Sequence, residues 1–369
     1  MKQYPMAKPY LGDREKELVN EVLDSGILSI GPKVEKFEKK FAEIIGTKYA
    51  CGVNNGTAGL HLAMLAAGVG EGDEVITSPF SFIASANSIL YVGARPIFVD
   101  IEEKTNNIDP AKIEAVITPK TKAILVVHIF GQAADLDPIM NIAKKHNLLV
   151  IEDACESICA TYKGKTVGTF GQSSVFAFYP NKQMTTGEGG MVCTNDKNVY
   201  EYCKSLRNQG REGMEWLDHK YLGYNYRLDE MSAAVGIAQL EKINWFVKER
   251  QKIADLYNKE FAKFSNLVKI PVVADGNTHT WFVYVVQLLN NNLDRNQVMF
   301  KLRDLGVSSK EYLPSIHLFK VYKERFGYIG GEFPISEMVS NRSLALPFYI
   351  GLTKDDVKYI VESLIKILR

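Results

Sequence analysis

The stretch AILVVHIFGQAADLDPIMNIAKKHNLLVIED, residues 123–153, decides how this chain folds. It opens and closes on apolar runs, AILVVHIF and LLVIED, that lack an alternating polar face. Runs of that kind are strands covered on both sides. Between them, DLDPIMNIAKKHN has helical spacing, and Asp137–Pro138 is a favourable helix start because proline there forfeits no hydrogen bond. Strand, helix and strand within about thirty residues make a βαβ crossover, which requires a parallel sheet.

The same rhythm extends outward. YACGV, EVITSP and RPIFVDI precede this unit, and VFAFY and GMVCT follow it, as further strand candidates. Val34, Phe37, Phe41 and Ile44 share one helical face, and a second helix should begin near Thr57. From YNYRLDEMSAAVGIAQLEKINWFVKERQKIADLYNKEFAKF onward the pattern becomes a long helical stretch, followed by alternating segments such as TWFVYVVQLL. The expected fold is therefore α/β. A mainly parallel sheet in three layers, with helices on both faces, would occupy residues 1–245, and a smaller α+β domain would occupy 246–369. Residues before about 30 could pack on either part.

Composition narrows the function classes. Hydrophobic residues make up 46% and charged residues 24%, ordinary for a globular protein. A formal net charge of +1 gives no electrostatic reason to expect nucleic acid or an anionic membrane. No apolar run approaches the roughly 20 residues that span a bilayer. The start, MKQYPMAKPYLGDREKE, lacks the apolar core of a signal peptide. Cys51, Cys155, Cys159, Cys193 and Cys203 contain no CxxC pair, so reduced thiols in a cytoplasmic protein are expected. The six histidines are scattered without metal-ligand spacing, so no metal is expected.

Three short motifs carry chemistry. LLVIEDACES places Asp153 at the carboxyl end of a strand, where open α/β sheets bind ligands. Such an aspartate could be an N-cap, a metal ligand or the partner of a bound cation. In VNNGTAGLHLAM, the turn at Asn55, Gly56 and Thr57 leads into a helix whose free N–H groups suit a phosphate, although an ordinary capped helix has the same signature. In FAFYPNKQMTTGEGGMV, Lys182 sits between a strand and a glycine-rich turn. A partly desolvated lysine there could form a Schiff base with an aldehyde, where most lysines are solvated surface groups. An amine, an acid and a phosphate-binding helix start together suggest pyridoxal 5'-phosphate.

At this point the residues resemble a known family. SIGPKVEKFEKKFA, NNGTAGLHLAM, TSPFSFIASANSI, VIEDACES, FYPNKQMTTGEGG, LGYNYRLDEMSAAVGIAQL, YLPSIHLF and LALPFYIGLT occur in the order found in the DegT/DnrJ/EryC1/StrS sugar aminotransferases, of PLP-dependent transferase fold type I. The resemblance implies that Lys182 carries the cofactor as an internal aldimine, with a pyridoxamine 5'-phosphate form as the intermediate state. It implies that Asp153 partners the pyridine nitrogen and that Phe82 stacks on the ring, where Phe82 would otherwise read as core. Gly56, Thr57 and Ala58 match the phosphate turn, and Glu156 matches a polar position near the phenolic oxygen. Asn225 matches a residue that reaches the neighbouring subunit's cofactor phosphate, which would make the active sites shared and a homodimer obligatory. Many members have a serine five residues before the lysine. This chain has Ala177, so Ser173 or Ser174 would have to substitute.

The family moves an amino group, usually from glutamate, onto a nucleotide-linked ketosugar or a cyclitol. The segment EYLPSIHLFKVYKERFG is similar to that of enzymes acting on 4-keto-6-deoxyhexoses, with 3-ketosugars or cyclitols as alternatives. On that likeness Tyr312 and His317 would line the substrate site, with Ser29 and Arg227 as further candidate contacts. Relatives that dehydrate sugars carry histidine where Lys182 stands, and a non-catalytic regulatory protein would not need the Lys182–Asp153 pair.

Overall fold

The structure is a computed structural model that describes residues 2–212, 218–290 and 293–369. All seven apolar runs singled out above lie in strands of one sheet. In chain order these are β1 (Tyr49–Val53), β2 (Glu74–Thr77), β3 (Arg95–Phe98), β4 (Thr121–Val127) and β5 (Leu149–Asp153). A small hairpin, β6 (Thr161–Tyr162) and β7 (Lys165–Thr166), precedes β8 (Ser173–Ala177) and β9 (Gly190–Thr194). The sheet order is β1-β9-β8-β5-β4-β2-β3. Only β9 runs antiparallel to its neighbours, because it returns directly from β8 through the lysine-bearing turn. The carboxyl ends of β1, β2, β4, β5 and β8 therefore share one rim, and the chemistry gathers there.

Helices cover both faces. They are α1 (Asp13–Ser25), α2 (Pro32–Ile45), α3 (Gly56–Ala66), α4 (Ile83–Tyr91), α5 (Pro110–Ile113), α6 (Leu136–His146), α7 (Lys197–Arg207) and α8 (Glu230–Leu240). Phe37, Phe41, Phe176 and Phe178 interlock edge to face on the α2 and α8 side. The small, apolar α3 packs on the other face, where Val53, Val175 and Val192 meet it.

A second sheet, ordered β10-β11-β13-β12, combines β10 (Val268–Lys269), β11 (Tyr284–Leu288), β12 (Lys310–Glu311) and β13 (Ser343–Leu346). It is all antiparallel and carries α10 (Arg295–Asp304), α12 (Pro334–Arg342) and α13 (Lys354–Leu368), whereas Tyr322 of α11 (Lys320–Phe326) packs against Phe98 of β3 and donates to Asn87 of α4. The stretch from Tyr224 is not one continuous helix. Tyr224 to Arg227 pair instead with Leu206, Arg207 and the free edge of β1, which would otherwise leave unpaired backbone groups. The helical remainder breaks at Glu241–Lys242 into α8 and α9 (Ile243–Phe261). Helix α9 carries Phe246 in the first core and Ile253, Tyr257 and Phe261 in the second. The chain start joins the second core: Tyr4 bridges Val307 and is buried with it.

Candidate active site

Asp153 ends β5 with its side chain on the rim and is 5% exposed. Its Oδ2 accepts from Ser85 Oγ at 2.7 Å, and its Oδ1 accepts from the Cys155 amide at 3.2 Å. Ser85 is in turn 2.7 Å from Ser81 Oγ, so the start of α4 holds the carboxylate in place. The neighbouring Glu152 points to the opposite face, as alternation along a strand requires. There it binds His128 Nε2 (3.1 Å) and the amides of Gly168, Phe170 and Gly171. Burial raises its pKa, but these donors more than compensate and hold it below the ordinary range. Glu152 is structural, and Asp153 alone faces the site.

Lys182 follows β8 by way of a turn in which its amide donates to Tyr179 O at 2.9 Å. Its side chain is 13% exposed, and Nζ lies 3.6 Å from Glu156 Oε1 and 4.0 Å from the centroid of the Phe282 ring. Glu156 Oε2 accepts from the Phe130 amide at 2.9 Å. Burial pushes the Glu156 carboxyl up, and the charge of Lys182 with the Phe130 donor reverses only part of that rise. Arg250, on α9, is buried and donates to the carbonyls of Lys182 (3.2 Å), Trp281 (2.9 Å) and Phe282 (3.4 Å). Burial lowers its pKa to about 10. One guanidinium thus fixes the backbone of the lysine and of the aromatic ring that faces its amine.

The turn before α3 completes the rim. Asn55 caps the helix by accepting from the Ala58 amide at 2.8 Å. The Gly56 and Thr57 amides have no acceptor among the described residues and point out of the helix start. Gly56 and Gly190 permit close contact with the lysine strand pair. A Cβ on Gly56 would fall 2.7 Å from Ala177 Cβ, and one on Gly190 would fall 2.7 Å from the Asn55 carbonyl oxygen. An anion with a planar ring fits this arrangement: two free amides, a buried acid with no cationic partner among the described residues, and an amine face one rim.

The remaining candidates are placed less uniformly. Phe82 is not in the core. It is 60% exposed at the N-terminus of α4, with one face free for a ring to stack on. Tyr312 is near the amine, its ring 6.1 Å from both Phe130 and Phe282, and burial raises the pKa of its hydroxyl. Ser174 faces away. Val175 and Ala177 face α3, while Ser174 and Phe176 point to the other layer, and Ser174 Oγ donates to Gly168 O at 2.8 Å. Ser173 has the right parity but begins the strand at its far end. Neither serine reaches the α3 turn, so Ala177 has no hydroxyl substitute on β8.

His317 is fully buried, with Nε2 3.0 Å from Glu337 Oε1 and its ring against Tyr328 and Phe333. Burial lowers its pKa, with Glu337 opposing. Glu332 and Glu337 lie close enough to His317 to resemble a metal cluster, yet their oxygens accept from the amides of Ile329, Gly330 and Gly331. Arg227 donates to Asn208 Oδ1 at 3.0 Å and has no ion pair among the described residues. Ser29 and Asn225 are exposed, Ser29 bridging Asp229 and Asn225 bridging Asn208. Ser85, Phe282 and Arg250 escaped the sequence reading. Each acts from a distant segment, and only the seryl in FSFIASAN lay near a motif already marked.

The chain resembles known proteins over its whole length. The family model for DegT/DnrJ/EryC1/StrS aminotransferases matches residues 9–365. GDP-perosamine synthases of Escherichia coli O157:H7 and Caulobacter vibrioides are 42% and 40% identical to it, covering 99% and 98% of this chain and 98% of each relative. Among solved structures, Helicobacter pylori PseC, an aminotransferase involved in the biosynthesis of pseudoaminic acid, superposes with a TM-score of 0.93 at 28% identity over 99% of both chains. The PLP-form of the putative sugar aminotransferase Spr1654 from Streptococcus pneumoniae superposes at 0.94, with 26% identity over 100% of this chain and 99% of that one. The chain belongs to the DegT/DnrJ/EryC1/StrS aminotransferase family.

Proposed function

We propose that this protein uses pyridoxal 5'-phosphate to move an amino group from glutamate onto a nucleotide-linked 4-keto-6-deoxyhexose. The observation that carries the reading is the pair of groups on one rim: the half-enclosed Lys182 amine on the turn after β8 and the buried Asp153 at the end of β5. The relatives named GDP-perosamine synthase favour a 4-amino sugar nucleotide as product.

Each residue has a distinct task. The Gly56 and Thr57 amides and the Thr57 hydroxyl would hold the phosphate at the positive end of α3. Asp153, oriented by Ser85, would hold a proton on the pyridine nitrogen. The Phe82 ring would cover one face. When bound, the cofactor supplies an electron sink for the carbanion left by deprotonation. Lys182 Nζ would take the proton from the donor's α-carbon and return it to the carbon on the other side of the transferred nitrogen. Glu156, held by the Phe130 amide, would orient that amine between proton transfers.

The Asn225 surface supports a second copy of the chain as partner. Ile27, Leu28 and Ile30, beside the Ser29–Asp229 bridge, are 49%, 47% and 68% exposed, an apolar run that a subunit contact would cover. In that reading Asn225 would reach the neighbour's phosphate turn.

The test is spectroscopic. The loaded protein should absorb between about 330 and 430 nm, and the band should shift when glutamate is added and return with a 4-ketosugar nucleotide. Lys182→Ala should abolish both shifts. An unshifted band with glutamate overturns the assignment, and a return with only 3-ketosugars or cyclitols corrects the substrate.

A further inference from the structure

Phe282 stands where a regular strand would not put it. Along β11, Tyr284 and Val286 face the second core, and continued alternation would send Phe282 to the same side. Its ring packs instead with Val283, Val285, Phe80 and Phe130 in a separate cluster, on the side of the Lys182 amine. The chain bends at Phe282, and Trp281 just before it has a left-handed backbone (φ 53°) although it is bulky and buried. A tryptophan keeps that conformation only where its surroundings enforce it.

The enforcing contacts come from α9 and from the loop after β4. The Trp281 amide donates to His279 Nδ1 (3.0 Å), its indole donates to Gln251 Oε1 (2.8 Å), and Arg250 Nη1 donates to its carbonyl (2.9 Å). The Thr280 and Phe282 amides donate to the carbonyls of Gly131 and Phe130, at 2.8 and 3.0 Å. Phe130 is itself left-handed (φ 59°), and its amide holds Glu156. Two left-handed aromatic residues, tied together through these amides, thus aim a ring and a carboxylate at one amine. Lys182 Nζ lies over the Phe282 ring, 4.0 Å from its centroid, and 3.6 Å from Glu156 Oε1. Backbone strain gathers where a side chain has to be aimed.

We propose that Phe282 is a catalytic residue, whose ring face supports the positive charge on Lys182 Nζ while that amine holds the proton in transit. That role rests on Lys182 as the proton carrier in the reading above and adds the group that supports its charge. The proton arrives from the donor's α-carbon and leaves for the carbon beyond the transferred nitrogen, so the charge on Nζ appears and disappears within one half-reaction. The negative face of an aromatic ring attracts a cation and has no comparable hold on a neutral amine. Glu156 can take the proton itself, and burial favours its neutral carboxyl. The ring cannot be protonated, so it stabilises the ammonium without competing for its proton. Phe282 is 2% exposed, and an enclosed ring of this kind acts with little screening by water. A phenylalanine that served only the core would need neither the amine over its face nor a left-handed tryptophan before it.

The test replaces Phe282 with phenylalanines carrying one, three and five ring fluorines, which nearly keep its shape while draining the negative face, and with leucine in Phe282→Leu. Circular dichroism first confirms that each protein is folded. In the cofactor-loaded protein, stopped-flow absorbance with glutamate should slow stepwise along the fluorine series, to about tenfold for the fully fluorinated ring and for Phe282→Leu. The glutamate concentration giving half the maximal rate should stay unchanged. In the cofactor-free protein, the ε-methylene resonance of labelled Lys182, assigned with Lys182→Ala, should show an upfield ring-current shift that Phe282→Leu abolishes. A slow Phe282→Leu beside a flat fluorine series shows that the ring only fills space and overturns the proposal, leaving the aminotransferase reading standing. A Lys182 resonance that Phe282→Leu does not move overturns it as well. A wild type whose absorbance does not respond to glutamate removes the aminotransferase reading, and the catalytic role of Phe282 with it.

Discussion

Lys182 Nζ and Glu156 Oε1 lie 3.6 Å apart beneath the Phe282 ring, and burial holds that carboxyl above its ordinary range. Glu156 therefore takes up its proton at a higher pH than a solvated glutamate, and the Lys182 amine loses its counter-charge as it does so. The rate of the glutamate half-reaction should fall on the acid side at a pH above the usual carboxylate range. In Glu156→Gln that limb should flatten, which stopped-flow absorbance between pH 5 and 9 would show. An acid limb that is the same in both proteins assigns it to another group.

Ala177 approaches the α3 turn closely and leaves the carboxyl end of β8 without a hydroxyl on that face. Gly56→Ala would push a methyl to 2.7 Å from Ala177 Cβ, so the turn must move. A stability loss of about 1–3 kcal/mol and weaker cofactor binding are expected, measured by urea unfolding and equilibrium dialysis. Ala177→Ser would place a hydroxyl on the α3 face of β8 and should tighten cofactor binding several-fold, about 1 kcal/mol for one added hydrogen bond. No gain would show that the phosphate lies beyond reach of position 177.

Arg250 has no carboxylate among its hydrogen-bond partners, and its three acceptors are backbone carbonyls from two distant segments. Arg250→Met leaves buried carbonyls unsatisfied and should cost about 2–4 kcal/mol. Arg250→Lys keeps the charge but loses the planar fork that reaches all three, so it should restore less than half of that loss. Denaturation midpoints of the three proteins decide this.

His279 is buried against Trp281 at 3.9 Å between ring centroids, and its Nδ1 accepts from the Trp281 amide at 3.0 Å. Burial lowers its pKa from 6.5 to about 3. Below pH 6.5 the unfolded chain binds a proton that the folded chain refuses, so stability falls as pH falls. His279 alone should remove about 2 kcal/mol between pH 6.5 and 5. His279→Gln keeps an acceptor for the amide and removes the titration, so its stability should decline less over that interval in parallel urea titrations. Equal slopes would contradict the burial argument.

The seven strands of the main sheet were legible because a strand covered on both faces must be apolar at nearly every position, whatever surrounds it. The positions of Lys182 and Asp153 were legible as well, one in the turn after a readable strand and the other at the end of one. The long helical stretch expected from Tyr224 is helical from Glu230 to Phe261 with one break, but not at its start. Its first residues are claimed by the free edge of β1, and the demand of an unpaired edge cannot be seen from the segment that satisfies it. Ser174 was misplaced by proximity in sequence, and the alternation of β8 alone would have turned it away from α3.

What the sequence determined by itself was local and periodic: the strand–helix alternation, the glycine-lined turns, and the amine, acid and helix start that suit one cofactor. What only the tertiary structure decided was which distant groups complete them. Ser85 orients Asp153, Glu156 and Phe282 enclose Lys182, and Arg250 ties that lysine to the second sheet. The reason is physical. Period and turn chemistry act over a few residues, whereas burial, charge pairing and shared hydrogen bonds arise when segments tens of residues apart are brought to one rim.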